Sequence, residues 1–125
     1  MKLAVTGKGG VGKTTVCALL ARAYADAGNR VLAVDADPNT TLASCLAFPS
    51  PENIPSLTEM SNLIEERTGV KPGTPGAIFQ LNPRVDDIVE RFSVTHNGIS
   101  LLRMGTVKSG GAGCYCPENA FLKSL

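Results

Sequence analysis

Two ammonium groups, a hydroxyl and two carboxylates stand within the first forty positions of this chain, at spacings that suit the handling of a phosphate group. The first three belong to Gly7-Lys8-Gly9-Gly10-Val11-Gly12-Lys13-Thr14-Thr15. Glycines let successive backbone N–H groups turn inward around an anion, Lys13 reaches terminal phosphates, and Thr14 offers a hydroxyl to a magnesium ion. Lys8 is surplus to that pattern and, set between two glycines, projects from the tip of the loop. A ligand-free Gly-rich turn is the plainer alternative, but it does not account for the full pattern between a strand and a helix. The carboxylates are Asp35 and Asp37 in Asp35-Ala36-Asp37-Pro38-Asn39. At that spacing they leave a strand on the same side, at the carboxyl edge where open α/β sheets bind ligands. Asp35 could hold magnesium through water, and Asp37 could orient the water that attacks a terminal phosphate. The same residues also read as a polar turn that caps the strand and starts a helix at Thr40 or Thr41.

A second constellation lies near the other end, in Cys114-Tyr115-Cys116-Pro117-Glu118-Asn119. Two cysteines separated by one residue in an extended segment do not readily close on each other, and two thiolates do not complete a tetrahedral metal site. A symmetric dimer would bring four sulfurs to a twofold axis. Spacing alone leaves open the other reading, two ordinary thiols ahead of a helix with Pro117 in its first turn. Cys17 and Cys45 sit in apolar helical contexts and read as small core residues.

These groups need elements to hold them. Residues 3–6 form a short apolar run that reads as a buried strand feeding the glycine loop. Residues 14–28 carry Val16, Leu19, Leu20, Ala23 and Ala27 at helical spacing, with Gly28 as the stop. Residues 30–35 read as a second strand ending in Asp35. A Pro-rich connector, 48–55, precedes a predicted helix over 56–69, with Ser56 and Glu59 at capping-box spacing and Met60 in the core. A Pro/Gly linker over 71–76, a short strand over 77–82 and a surface helix or turn over 84–92 follow. His96 reads as a loop residue, and 99–104 as a third strand.

Composition fits a cytoplasmic α/β domain. Hydrophobic residues make up 43% of 125 positions, and strand and helix signals alternate, as in a parallel sheet flanked by helices. Twelve basic residues against eleven acidic ones leave no global field to draw nucleic acid or an anionic membrane. No apolar run is long enough to span a bilayer, and the glycine loop begins too early to leave room for a secretory signal. In that compartment the four cysteines read as thiols, metal ligands or redox groups.

The segment from Lys8 to Thr15, taken with Asp35-Ala36-Asp37-Pro38, resembles the deviant P-loop ATPases of the MinD, ParA and nitrogenase-iron-protein group. The resemblance implies a P-loop NTPase fold, ATP and magnesium as cofactors, and a homodimer closed by ATP. It also implies that Lys8 crosses the interface to the partner's nucleotide, that Asp37 supports hydrolysis, and that Asp35 lies near magnesium. Within the group, Leu81-Asn82-Pro83-Arg84-Val85-Asp86, Leu102-Arg103-Met104-Gly105 and above all the Cys114 to Asn119 motif resemble the accessory ATPases that insert nickel into carbon monoxide dehydrogenase. That subgroup implies a metal site of Cys114 and Cys116 from both protomers, nickel as cargo with zinc a competitor, and nickel carbon monoxide dehydrogenase as client.

Members of the group extend well beyond this length. By resemblance, residues 1–125 are the N-terminal part of a single P-loop ATPase domain, and the absent half holds a central strand beside the one ending at Asp35. The expectation is then a chain of marginal stability that turns over ATP poorly. Three further readings stand beside it: an electron-transfer ATPase with an iron–sulfur cluster on interface thiolates, a positioning or partition switch, and an inactive nucleotide-binding fragment.

Overall fold

The computed structural model describes residues 1–37, 39–57, 61–69 and 87–105. Helix α1, Lys13–Asp26, is rich in alanine and leucine, which lose little freedom in a helix. It ends where Gly28 adopts φ +82°, with its N–H on the Ala25 carbonyl at 2.9 Å. Strand β1, Val31–Asp35, follows at once. Beyond it come the four-residue helix α2, Leu42–Cys45, a 3₁₀ turn, Pro51–Asn53, and helices α3, Ser61–Thr68, and α4, Ile88–Phe92. Strands β2, Val94–His96, and β3, Ile99–Arg103, complete the described elements.

The sheet order is β1-β3-β2, with β1 parallel and β2 antiparallel to β3. Both edges of β3 are paired and both of its faces are covered, so its alternation separates two cores. Ile99 and Leu101 join Ala18, Ala21, Leu42 and Leu46 beneath α1 and α2. Leu102 turns the other way and, with the following Met104, meets Leu57 and Ile88. Small residues let α1 approach closely: Ala18 and Ala21 are buried, whereas Val16 and Leu19 on its far side are exposed.

Several sequence expectations are corrected. Residues 3–6 form no strand and are mostly exposed, although their composition suits one. A strand exists only where a neighbour accepts its backbone hydrogen bonds, and among the described residues nothing pairs with them or with the outer edge of β1. Of the predicted 56–69 helix the described part is Ser61–Thr68, and Ser56 is not helical but used elsewhere. It bridges to Arg103 in the sheet, and its hydroxyl donates to the Met104 carbonyl at 2.9 Å. Of the predicted 84–92 helix the described part is Ile88–Phe92, and the connector at 48–55 contributes buried Phe48 and Ile54 to the core.

Strand β2 was not expected, and His96 belongs to it instead of to a loop. Asn97 and Gly98, at φ 47° and 75°, make the two-residue turn into β3. The linker at 71–76, the strand at 77–82 and Met60 lie outside the described residues.

Leu101 is fully buried and Leu32, on β1, is 39% exposed. Leu101→Ala is therefore expected to cost about 2–5 kcal/mol, and Leu32→Ala less than about 1 kcal/mol. Urea unfolding of both variants checks this; equal losses would misplace the core.

Candidate functional site

The glycine loop has the backbone that its composition requires. Gly7, Gly10 and Gly12 hold φ values of 154°, 78° and 91°, which side-chain-bearing residues rarely adopt. A Cβ at Gly7 would in addition meet Val11 Cγ2 at 3.2 Å, too close for comfort. Gly12 forms the N-cap of α1 and, without a side chain, provides no capping hydrogen bond. The first turn also carries no acid. A helix start with open N–H groups, a positive dipole end and no competing carboxylate is suited to an anion.

Lys13 folds back over this loop, its Nζ donating to the Lys8 carbonyl at 3.1 Å. The ammonium thus lies across the turn formed by residues 8–13. Lys8, Gly9, Gly10, Val11 and Thr15 are exposed, and Thr14 is half-buried at the start of α1. Glycine-rich backbone, one folded-back cation and an adjacent hydroxyl together can hold a phosphate chain and its cation.

Asp35 and Asp37 come to the same sheet edge but differ in environment. Asp35, only 5% exposed, accepts the Asp37 N–H at 3.4 Å on Oδ1 and the Leu42 N–H at 3.1 Å on Oδ2. Its own carbonyl accepts the Met104 N–H at 2.9 Å. Asp37 is half-buried, and its Oδ1 accepts the Asn39 N–H at 2.9 Å in an Asx turn. The turn-capping reading of this pair and its place at the carboxyl edge therefore coexist, and α2 begins at Leu42 behind Thr41.

Burial pushes the Asp35 carboxyl above the ordinary carboxylate range. The N–H bonds from Leu42 and Asp37 pull it back, the Asp37 charge raises it, and Arg103 lowers it. Burial likewise pushes the Cys17 thiol up, and the Asp35 carboxylate adds to that rise. Cys17 is half-buried against the first core, as expected, but Cys45 is exposed, contrary to the core reading. It ends a helix of four residues, too short to bury both faces. Together with Thr15, Ala18, Leu19 and Arg22 it lines a hollow of about 180 Å³ beside the loop.

Sequence reasoning missed Arg103. It is the last residue of β3, pairs in register with Asp35, and its Nη1 donates to the carbonyls of Pro51 and Ile54 at 3.3 Å each. A basic residue one position before the end of the strand predicted over 99–104 was the available signal. His96 packs its ring at a tilt of 54° against Phe48, centroids 5.4 Å apart, at the other end of the strands from these acids. Cys114 and Cys116 lie outside the described residues. Among the described residues, no group of three or more His, Cys, Asp or Glu is placed to hold a metal, and no helix is long and apolar enough to cross a membrane.

A glycine cradle ahead of a helix, with a buried acid closing the neighbouring strand, defines a P-loop nucleotide-binding domain. The chain belongs to the CobQ/CobB/MinD/ParA nucleotide binding domain family, whose profile matches residues 2–108. It is 54% identical over its whole length to the carbon monoxide dehydrogenase accessory protein CooC of Rhodospirillum rubrum, of which it covers 48%. An uncharacterized ATP-binding protein of Methanocaldococcus jannaschii is 50% identical over the whole chain, which again covers 48% of it. A second from that organism is 32% identical, with 53% of its length covered. The chain thus spans about half the length of these curated relatives.

The raised Asp35 carboxyl has a consequence for stability. The folded state holds that proton more tightly than the unfolded chain, so the contribution of Asp35 is favourable in acid and is lost as pH rises. Between about pH 4 and the raised value, the urea midpoint of the wild type is expected to fall relative to that of Asp35→Asn. Parallel pH profiles for the two proteins would contradict the burial argument.

Proposed function

We propose that this chain supplies the phosphate-binding part of an accessory ATPase that handles nickel for carbon monoxide dehydrogenase. The reading is carried by the glycine loop: it opens onto the uncapped, acid-free start of α1, with Lys13 Nζ lying 3.1 Å from the Lys8 carbonyl. The identity to CooC, whose name makes it an accessory protein of that enzyme, supports this choice of client.

Backbone N–H groups of residues 7–12 and Thr15 would hold the phosphates of ATP. Lys13 exchanges the Lys8 carbonyl for a phosphate oxygen, a modest rearrangement of a side chain already over the loop. The Thr14 hydroxyl would hold magnesium, and Asp37, at the sheet edge beside the buried Asp35, would orient the attacking water. Magnesium, when bound, neutralises charge on the phosphates. The fit to a magnesium nucleotide rests on the positive-φ glycines and on a first helical turn without acids.

Lys8 is exposed on the glycine loop, and in a homodimer it would reach the nucleotide of the second copy. Cys114 and Cys116 from both copies would then form a four-thiolate site for the nickel cargo, which zinc would also suit. Closure of the dimer on ATP would change the geometry of that site, and hydrolysis would release it. A protein working this way is cytoplasmic.

Titration calorimetry with magnesium ATP tests the loop. Lys13→Ala is expected to weaken binding about tenfold or more through loss of a charge-assisted contact, and Thr14→Ala to reduce the dependence on magnesium. Unchanged affinity in Lys13→Ala would remove the nucleotide assignment. For the cargo, Cys114→Ser combined with Cys116→Ser is expected to abolish nickel binding in equilibrium dialysis. If nickel per dimer is undiminished, the thiolate site is wrong.

A further inference from the structure

We infer that Asp35 is a positioning residue, a clamp on the loop between β1 and α2 that aims Asp37 and does not itself ligate the cation. This deepens the proposed function and rests on that reading for what Asp37 does. The geometry is a fork. One carboxylate oxygen takes the N–H of Asp37 near the start of the loop, and the other takes the N–H of Leu42 just beyond its end. A single side chain therefore brackets residues 36–41 from both sides.

Leu42 is the first residue of α2, so its N–H has no acceptor within the helix. Thr41 occupies the N-cap but makes no side-chain capping bond. Asp35 takes over that role from seven positions upstream, and its negative charge lies at the positive end of the helix. The clamp is itself immobilised. Its strand end is tied to β3 by the Met104 N–H, and its register partner Arg103 fastens the Pro51 and Ile54 carbonyls, so that two loops are pinned from adjacent strand ends.

The two acids are thereby sorted. Asp35 is buried with both oxygens turned to backbone donors, whereas Asp37 is half-buried and makes only a local turn with Asn39 among the described residues. A cation at the loop would meet Asp37 before it met Asp35. Replacing Asp35 should therefore move Asp37 and leave the cation's own contacts intact.

Amide hydrogen exchange on the nucleotide-free protein is the primary test, and it needs no variant. Leu42 has no helical acceptor, so protection of its amide reports the bond to Asp35, and it is expected to exchange about tenfold or more slowly than that of Thr40. Absence of that protection overturns the clamp. In Asp35→Ala the protection at Asp37 and Leu42 should be lost, and in Asp35→Asn, which keeps one acceptor oxygen, at one of the two, while in both the magnesium concentration that half-saturates ATP binding stays within about twofold. A tenfold or greater rise in that concentration overturns the inference, whatever exchange does.

In single turnover, Asp35→Asn should slow hydrolysis at unchanged magnesium-ATP affinity and add nothing to the loss in Asp37→Asn. Additive losses would overturn the route through Asp37. A wild type that binds no magnesium ATP would sink the preceding functional reading, and the exchange result would still decide the clamp.

Discussion

The parallel ladder between β1 and β3 is the constraint on which the rest depends. It matches Val31 to Ile99 and Asp35 to Arg103, so two strands far apart in sequence end at the same level. That shared edge is where an acid and a base can each secure a loop. Slipping the register by one residue would turn Leu101 and Leu102 to opposite faces, exchanging the two cores and separating the strand ends. Burial of β3 on both sides sets the register, because neither face tolerates a polar residue in place of leucine.

Against that rigid edge, the glycine loop is built to remain open. Its turns are permitted by glycine at positive φ, and α1 begins on a residue that cannot cap it. Leaving the first N–H groups of a fourteen-residue helix without a side-chain acceptor sacrifices the stability that Ser or Asp at the N-cap would bring, about 1 kcal/mol. A bound anion can recover it. Lys13 meanwhile rests on the Lys8 carbonyl, a neutral acceptor from which a phosphate oxygen can displace it. The site thus joins a backbone that is preset to a side chain held only lightly.

Much of this was legible beforehand because it is local. The loop, α1 with its stop at Gly28, β1 ending in Asp35 and a third strand within 99–104 all follow from spacing and turn chemistry within a few residues. Where expectation failed, the deciding partner was distant. Ser56 had a capping-box neighbour in sequence, yet its hydroxyl went to Met104. Residues 3–6 had strand composition without a ladder to join among the described residues. Cys45 had apolar neighbours but ended a helix too short to bury it. The β2–β3 hairpin is different: Asn97-Gly98 is a strong local turn signal and was readable.

By itself, the sequence determined the chemistry on offer: a glycine-lined turn, the lysines and threonine on it, and two acids two residues apart. Backbone freedom and side-chain type belong to each residue alone, so no neighbour was needed to know them. Tertiary structure decided how those groups are divided. Asp35 and Asp37 are equivalent as carboxylates, but one is buried against the N–H groups of Asp37 and Leu42 and the other remains partly open. Desolvation and hydrogen bonding are properties of the surroundings, and those came from β3, α2 and Arg103, elements that no short stretch of chain contains together.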